Sequence, residues 1–250
     1  MILPAASCGV PPAVPLYRAI ERQLRTALAQ GEWKPGEAIA AERTLAGRFG
    51  VSIGTVRKAI DALCAAHLLI RQQGRGTYVA SHDRDRMLFY FFHVAPQSGA
   101  KEYPDVRLVG FSRTRAARSE GEALRIPPGE PVFRIRNLLH LSGRPVIIDD
   151  LTLPAARFAG LDRSLFASRP STIYNLYQDT FGLSVVRTRE RLRASAADAP
   201  SAKLLGVARG APLLAIRRVA FSYDDDPVEL RRSLVDTSGH EYWAEIGRPP

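Results

Sequence analysis

Between residues 14 and 30, apolar side chains return every four positions, at Leu16, Ile20, Leu24 and Leu28. That is the spacing of one helix face, and it predicts an amphipathic helix from Val14 to Gln30. Gly31 stops it, and Pro35-Gly36 marks a turn. A second, shorter pattern with Leu45 and Phe49 on one face predicts a helix from Ala41 to Phe49, ended by Gly50. Val56, Ile60 and Leu63 then form the buried stripe of a third helix, about Ser52 to Ala66. Ser52 opens it, because its hydroxyl can accept a bond from an orphan backbone N–H of the first turn. Two short strands follow, Leu68 to Arg71 and Thr77 to Val79, with Gln72-Gln73-Gly74-Arg75-Gly76 as the tip between them. Two helices joined by a tight turn, with a basic hairpin behind them, form a device for laying one helix in the DNA major groove.

Beyond residues 80 to 86, a short polar junction, the helical period fades. Met87 to Val94 is apolar and aromatic and predicts a buried strand. Gln97 to Asp105 predicts a loop. Most of the rest predicts strands, with helices near Ser119–Leu124, Ser171–Phe181 and Ala199–Leu205. The stretch also repeats itself. Leu124 to Arg136 reads LRIPPGEPVFRIR and Leu205 to Arg217 reads LGVARGAPLLAIR, aligning Gly129 with Gly210, Pro131 with Pro212 and Ile135 with Ile216. Each copy leads to a turn and then a Pro-Val strand, Pro145-Val146 or Pro227-Val228. Two such units predict one antiparallel sheet with pseudo-twofold character, and two copies are too few for a solenoid. The expected class is α+β: residues 1–13 a tail, 14–80 the winged helical domain, 81–86 a linker and 87–246 the sheet domain.

Composition adds a partner. The net charge is +10, and residues 1 to 82 hold 10 Lys+Arg against 5 Asp+Glu. The N-terminal part is about twice as basic per residue as the remainder, as a polyanion-binding end should be. Only two cysteines occur, Cys8 and Cys64. No disulfide is expected between them, which suits a reducing compartment. No apolar run is long enough to span a membrane, and the proline-broken N-terminus lacks the basic start of a signal peptide. A cytoplasmic protein is expected. The five histidines are scattered, without metal-ligand spacing, and neither a Gly-x-Ser-x-Gly elbow nor a P-loop occurs. No catalytic residue, metal or cofactor is expected.

The first domain resembles the winged helix-turn-helix of the GntR family of bacterial transcription regulators. The resemblance rests on Pro15-Leu16-Tyr17, Gly31 with Pro35-Gly36, Glu42-Arg43-Thr44-Leu45-Ala46, Gly50-Val51-Ser52, Thr55-Val56-Arg57 and Gly74-Arg75-Gly76-Thr77-Tyr78-Val79. It implies that Arg43, Thr55 and Arg57 contact DNA, with Arg75 in the minor groove, where the potential is most negative. With Ser52, Lys58, Gln72, Gly76 and Thr77 these make the candidate DNA-contacting set. Two departures stand out. Ala40-Ala41 replaces the family's Pro-Ser and removes a hydroxyl cap, and Ile53 replaces its usual arginine.

The second domain resembles the UTRA ligand-binding domain of the HutC branch, which shares its fold with chorismate lyase. The resemblance covers about residues 85 to 246 and rests on the two Gly-x-Pro hairpins, on Leu153-Pro154-x-x-Arg157-Phe158 with Gly160-Leu161, and on Pro227-Val228-Glu229. It implies a homodimer, a small-molecule effector beside the sheet, and double-stranded DNA with a palindromic operator as partner. Candidate effector-contacting residues are Arg136, Asn137, Asp149, Tyr174, Glu229 and Arg232. Asn137 and Leu139 stand where sugar-phosphate-binding relatives carry two arginines, which argues against a phosphorylated effector. A one-step shift in strand register would instead bring Arg136 into the site. The rival readings are a lyase on the same fold and a ligand-independent DNA binder. The first leaves the DNA head unexplained, and the second leaves the large sheet domain unexplained.

Overall fold

The computed structural model describes residues 15–82, 90–97 and 101–244. The chain divides into two compact units between Ala80 and Ser81.

In the first unit the helices are α1 (Leu16–Ala29), α2 (Glu42–Phe49) and α3 (Ile53–Ala65), followed by the hairpin β1 (Leu69–Gln72) and β2 (Gly76–Val79). Each boundary has a local cause. Gly50 takes a left-handed φ of 63° and closes α2, a conformation that costs glycine nothing. The Ser52 hydroxyl accepts from the Thr55 N–H at 3.2 Å and starts α3. Ala41 offers no side-chain cap to α2, as the sequence departure implies. Ile20, Leu24, Leu45, Val56, Ile60 and Leu63 close the core between the helices. Residues before α2 bind the outer edge of β2, with the Ile39 N–H donating to Thr77 and the Val79 N–H to Glu37. The wing is thereby tied into the helical body.

The second unit is built on six antiparallel strands: β4 (Asp105–Arg115), β5 (Pro131–Leu141), β6 (Arg144–Pro154), β7 (Arg187–Ala196), β8 (Pro212–Phe221) and β9 (Pro227–Asp236). Their order is β4-β5-β6-β9-β8-β7, so the two repeats meet at a central β6–β9 seam. A small pair, β3 (Val94–Pro96) with β10 (His240–Tyr242), forms a separate two-stranded sheet whose Val94 and Tyr242 pack with Leu139, Ile147 and Val235 of the large one. The helices are α4 (Arg118–Leu124), α5 (Arg163–Ala167), α6 (Ile173–Phe181) and α7 (Ala199–Leu205).

The repeat is visible bond by bond. Gly129 and Gly210 both sit at φ 84°. The N–H of Gly129 donates to the Ala116 carbonyl at 2.9 Å, and the N–H of Gly210 to that of Ala197 at 2.8 Å. The helices are started differently, however. Glu120 reaches back to the Ala117 N–H in α4, whereas Asp198 caps the Ser201 N–H in α7. Each helix packs across the seam. Leu124 of α4 joins Val219, Phe221 and Leu230 of the second half. Ala202 and Leu205 of α7 join Leu138 and Ile148 of the first. Each helix thus buries part of its apolar face on the other half, so the halves depend on one another for burial. The opposite face of the sheet is covered by α6, where Phe133, Ile135, Leu151, Leu153, Phe158, Tyr174 and Tyr177 form the largest core cluster.

Two differences from the sequence reading appear. The strand expected over Met87 to Val94 lies largely outside the described residues. Within the described part only Val94 is extended, as the start of β3, while Tyr90 and Phe91 form a helical turn. The short helix α5 was not expected. It is started by Asp162, whose carboxylate accepts from the Leu165 N–H at 2.8 Å.

Candidate functional sites

In the first unit, α3 buries Val56, Ala59, Ile60 and Leu63 and exposes Ile53, Gly54, Arg57, Lys58 and Asp61. Arg57 is held in place. Its Nε donates to the Glu42 carboxylate at 2.9 Å, and this bond raises the guanidinium pKa. Glu42 also accepts from Arg71 at 3.2 Å, and Arg71 reaches Asp61 at 3.0 Å. Helix two, helix three and the wing thus share one exposed ionic chain. Thr55 lies beside Ser52, with the two hydroxyls 2.9 Å apart. Arg43 and Lys58 are exposed. At the wing tip Arg75 is exposed between Gly74 at φ 73° and Gly76 at φ 116°, with its carbonyl accepting from the Tyr78 hydroxyl at 3.2 Å. Gln72 and Thr77 flank that tip in half-exposed positions. All nine candidate DNA-contacting residues fall on α2, α3, the α3 cap or the wing.

In the second unit the candidate effector residues separate by strand parity, since neighbouring side chains on a strand point to opposite faces. Asn137 pairs with Asp149 and Asp149 with Ser233, which puts these three on the face covered by α6. Glu229 and Arg231 share that face. Arg231 donates to Glu229 through Nε at 2.9 Å and Nη2 at 3.0 Å, and to Asp149 at 3.1 Å. Ser233 donates to Asp149 at 2.5 Å. From α6, the hydroxyls of Tyr174 and Tyr177 donate to Glu229 at 3.3 and 2.7 Å. Burial and the Glu229 charge push the Tyr174 phenol up to about 12, so it stays a donor. Burial opposes the charge of Arg231, but Glu229, Tyr174 and Asp149 outweigh it and raise its pKa. Beside this network Arg218, also buried, pairs with Glu190 and donates to the Phe91 carbonyl at 2.5 Å.

Arg136 and Arg232 do not join this set. They face Asp150 from its two sides on the opposite face of the sheet. There Arg136 makes a forked pair with Asp150 at 2.6 and 2.8 Å. The register shift that would turn Arg136 inward is absent, because Arg136 stands opposite Asp150 and Asn137 opposite Asp149.

Two features of the α6 face point to a ligand. A cavity of about 30 Å³ is lined by Tyr103, Val106, Leu139, Asp149, Arg169 and Arg231 among others. Tyr103, Val106 and Arg169 also line an outer cleft of about 310 Å³. Arg169 therefore stands between the two. Its guanidinium donates to the Phe166 carbonyl at 2.6 Å and lies over that ring. It has no carboxylate partner among the described residues, and burial lowers its pKa. Asn137, flanked by Leu139 and Asp149, is fully buried, and neither its amide oxygen nor its amide nitrogen has a partner among the described residues. A buried amide left unbonded is costly.

Arg231, Ser233, Tyr177 and Arg169 were not among the residues that the sequence proposed for this face. Arg231 was within reach, since it alternates with Glu229 on one strand. Arg169 lies in a loop without any periodic signal.

The helical unit matches the pattern described as bacterial regulatory proteins, gntR family, over residues 16–79, and the sheet unit matches the UTRA domain over residues 100–241. The Escherichia coli repressor named for the fructoselysine utilization operon is 33% identical over 220 residues, covering 86% of this chain and 88% of its own. The histidine utilization repressor of Pseudomonas putida is 28% identical over 238 residues, covering 94% and 93%. The crystal structure of the ligand-binding domain of a candidate GntR-family regulator from Bordetella bronchiseptica superposes with a TM-score of 0.60. It is 36% identical and covers 64% of this chain and 98% of its own. No helix among the described residues is long and apolar enough to cross a membrane. An exposed helix with a basic wing, joined to a UTRA domain, is a regulator's construction rather than an enzyme's. The chain belongs to the GntR family of bacterial transcription regulators, with a UTRA domain as its ligand-responsive part.

Proposed function

We propose that the protein is a homodimeric repressor of the HutC branch, acting in the cytoplasm on a palindromic operator and released from it by a small organic acid. The observation that carries the effector half is the unpartnered, fully buried amide of Asn137, on the face where Asp149 and Arg231 line the cavity. Arg169, a half-buried cation without a carboxylate partner among the described residues, supplies the charge for the acid group. Two relatives are named for the use of fructoselysine and of histidine, and both compounds carry a carboxylate. The inner cavity holds little more than a water molecule or two. An effector larger than this displaces Arg169, which lines both the inner cavity and the outer cleft, and this movement is the event that the DNA-binding unit would sense. By linkage, an effector that favours the weakly binding state is itself bound less tightly when DNA is present.

Selection of bound sequences from a random duplex library by the full-length protein, at near-physiological salt, tests the operator half. An enriched palindrome with half-sites set by the helical repeat is expected. Salt-sensitive binding to any duplex, with no enriched sequence, would refute it. Histidine and fructoselysine then serve as probes of release, followed by fluorescence anisotropy. Arg169→Ala is expected to need roughly 10- to 100-fold more of the active acid, the loss of one charge-assisted bond, while its operator affinity stays at the parent level. Unchanged release in that variant would remove Arg169 from the site.

A further inference from the structure

The first residue of the reading helix is an isoleucine with its side chain in solvent. Ile53 is 42% exposed. Single exposed apolar side chains are ordinary on protein surfaces, but the position of this one is not random. Side chains four apart lie on one helix face, so Ile53 shares a stripe with the exposed Arg57 and Asp61, at the edge of the buried face formed by Val56, Ala59, Ile60 and Leu63. The polar groups beside it are committed elsewhere. The Ser52 hydroxyl caps the helix, and that of Thr55 is bonded to Ser52. The next residue, Gly54, has no side chain, and an added Cβ would meet only the Ser52 hydroxyl, at 3.8 Å. The first turn of α3 therefore presents one branched hydrocarbon, a glycine without a side chain, and the Ser52 and Thr55 hydroxyls already bonded to one another, so it can approach the groove floor closely.

We infer that Ile53 reads the C5-methyl of a thymine in each half-site. A hydrocarbon has nothing to exchange with a base-edge donor or acceptor, and the thymine methyl is the one apolar feature that the major groove displays. Its place follows from the helix. Ile53 and Arg57 are one turn apart, about 5.4 Å, and base pairs are about 3.4 Å apart. The thymine lies one or two base pairs from the base that Arg57 contacts. The inference rests on the operator reading above.

The test uses the full-length protein and its selected operator. Each thymine of the half-site is replaced in turn by uracil, which keeps the base pair and removes only the methyl group. One position within two base pairs of the Arg57 contact is expected to weaken binding about fourfold per half-site, the worth of one buried methyl. Ile53→Ala is expected to bind the thymine and uracil operators equally, at the level of the parent protein on uracil. Its helical circular dichroism should match the parent's, because the side chain is outside the core. Uracil bound as well as thymine at every position overturns the inference, as does thymine preference that survives in Ile53→Ala. Failure to enrich any operator overturns the operator reading as well. An enriched operator with no thymine at that place overturns this inference alone.

Discussion

Replacing Glu229 with alanine is expected to destabilise the sheet unit by about 3–5 kcal/mol, the range for breaking a buried ion pair from one side. The carboxylate is fully buried and has three partners. Its loss leaves the Tyr174 and Tyr177 hydroxyls without their acceptor and the Arg231 guanidinium with Asp149 alone. Stranded buried donors cost more than the net worth of the bonds they made. Chemical denaturation, followed by tryptophan and tyrosine fluorescence, reads the effect as a fall in the midpoint at unchanged slope. Glu229→Gln keeps the shape and one acceptor oxygen and should lose less. A Glu229→Ala protein as stable as its parent would show that Asp149 alone can hold Arg231, and that the network is looser than its distances state.

The second large effect concerns DNA. Arg57→Ala is expected to weaken operator binding roughly 10- to 100-fold and to relax the sequence preference at one base pair per half-site, the cost of losing a bidentate base contact. Non-specific binding should change little. Equilibrium anisotropy against the selected operator and a scrambled duplex separates the two. The bond between Arg57 and Glu42 adds a condition. Binding must release or retain that carboxylate, which sits near the incoming phosphates and repels them. If Arg57 leaves it, Glu42→Gln should bind DNA at least as tightly as the parent. If Glu42 instead orients Arg57 on the base, the same variant should weaken binding. Equal loss on operator and scrambled DNA in Arg57→Ala would reduce Arg57 to a phosphate contact.

The helical unit was legible almost throughout, because its signals are local. Gly50, Ser52 and the four-residue spacing of Val56 and Ile60 each act within one turn. The duplicated hairpins were legible for a related reason, since Gly129 and Gly210 occupy a conformation that few other residues tolerate. The placement of the candidate effector residues was only half legible. Of the candidate effector residues, Asn137, Asp149, Tyr174 and Glu229 lie on the side of the sheet that α6 covers, and Arg136 and Arg232 lie on the other. Adjacent pairs such as Arg231-Arg232 and Asp149-Asp150 differ only in parity, and parity is fixed by cross-strand register, a long-range property. Helix α5 escaped notice because five residues are too few to show a period. The bond from Arg57 to Glu42 joins residues on separate helices that no spacing rule connects.

The central seam also bears on how the chain avoids mispairing. In the register of β6 with β9, Asp150 stands opposite Arg232, and these two positions correspond to each other in the duplicated halves. Pairing of unlike halves therefore sets opposite charges face to face. Pairing of like halves from two nascent chains, in the same register, would set Asp150 against Asp150 or Arg232 against Arg232, and like charges directly opposite on a sheet repel. A duplicated strand is otherwise an invitation to exchange between molecules. One charge reversal at the centre makes each half prefer its sibling in the same chain over its twin in another.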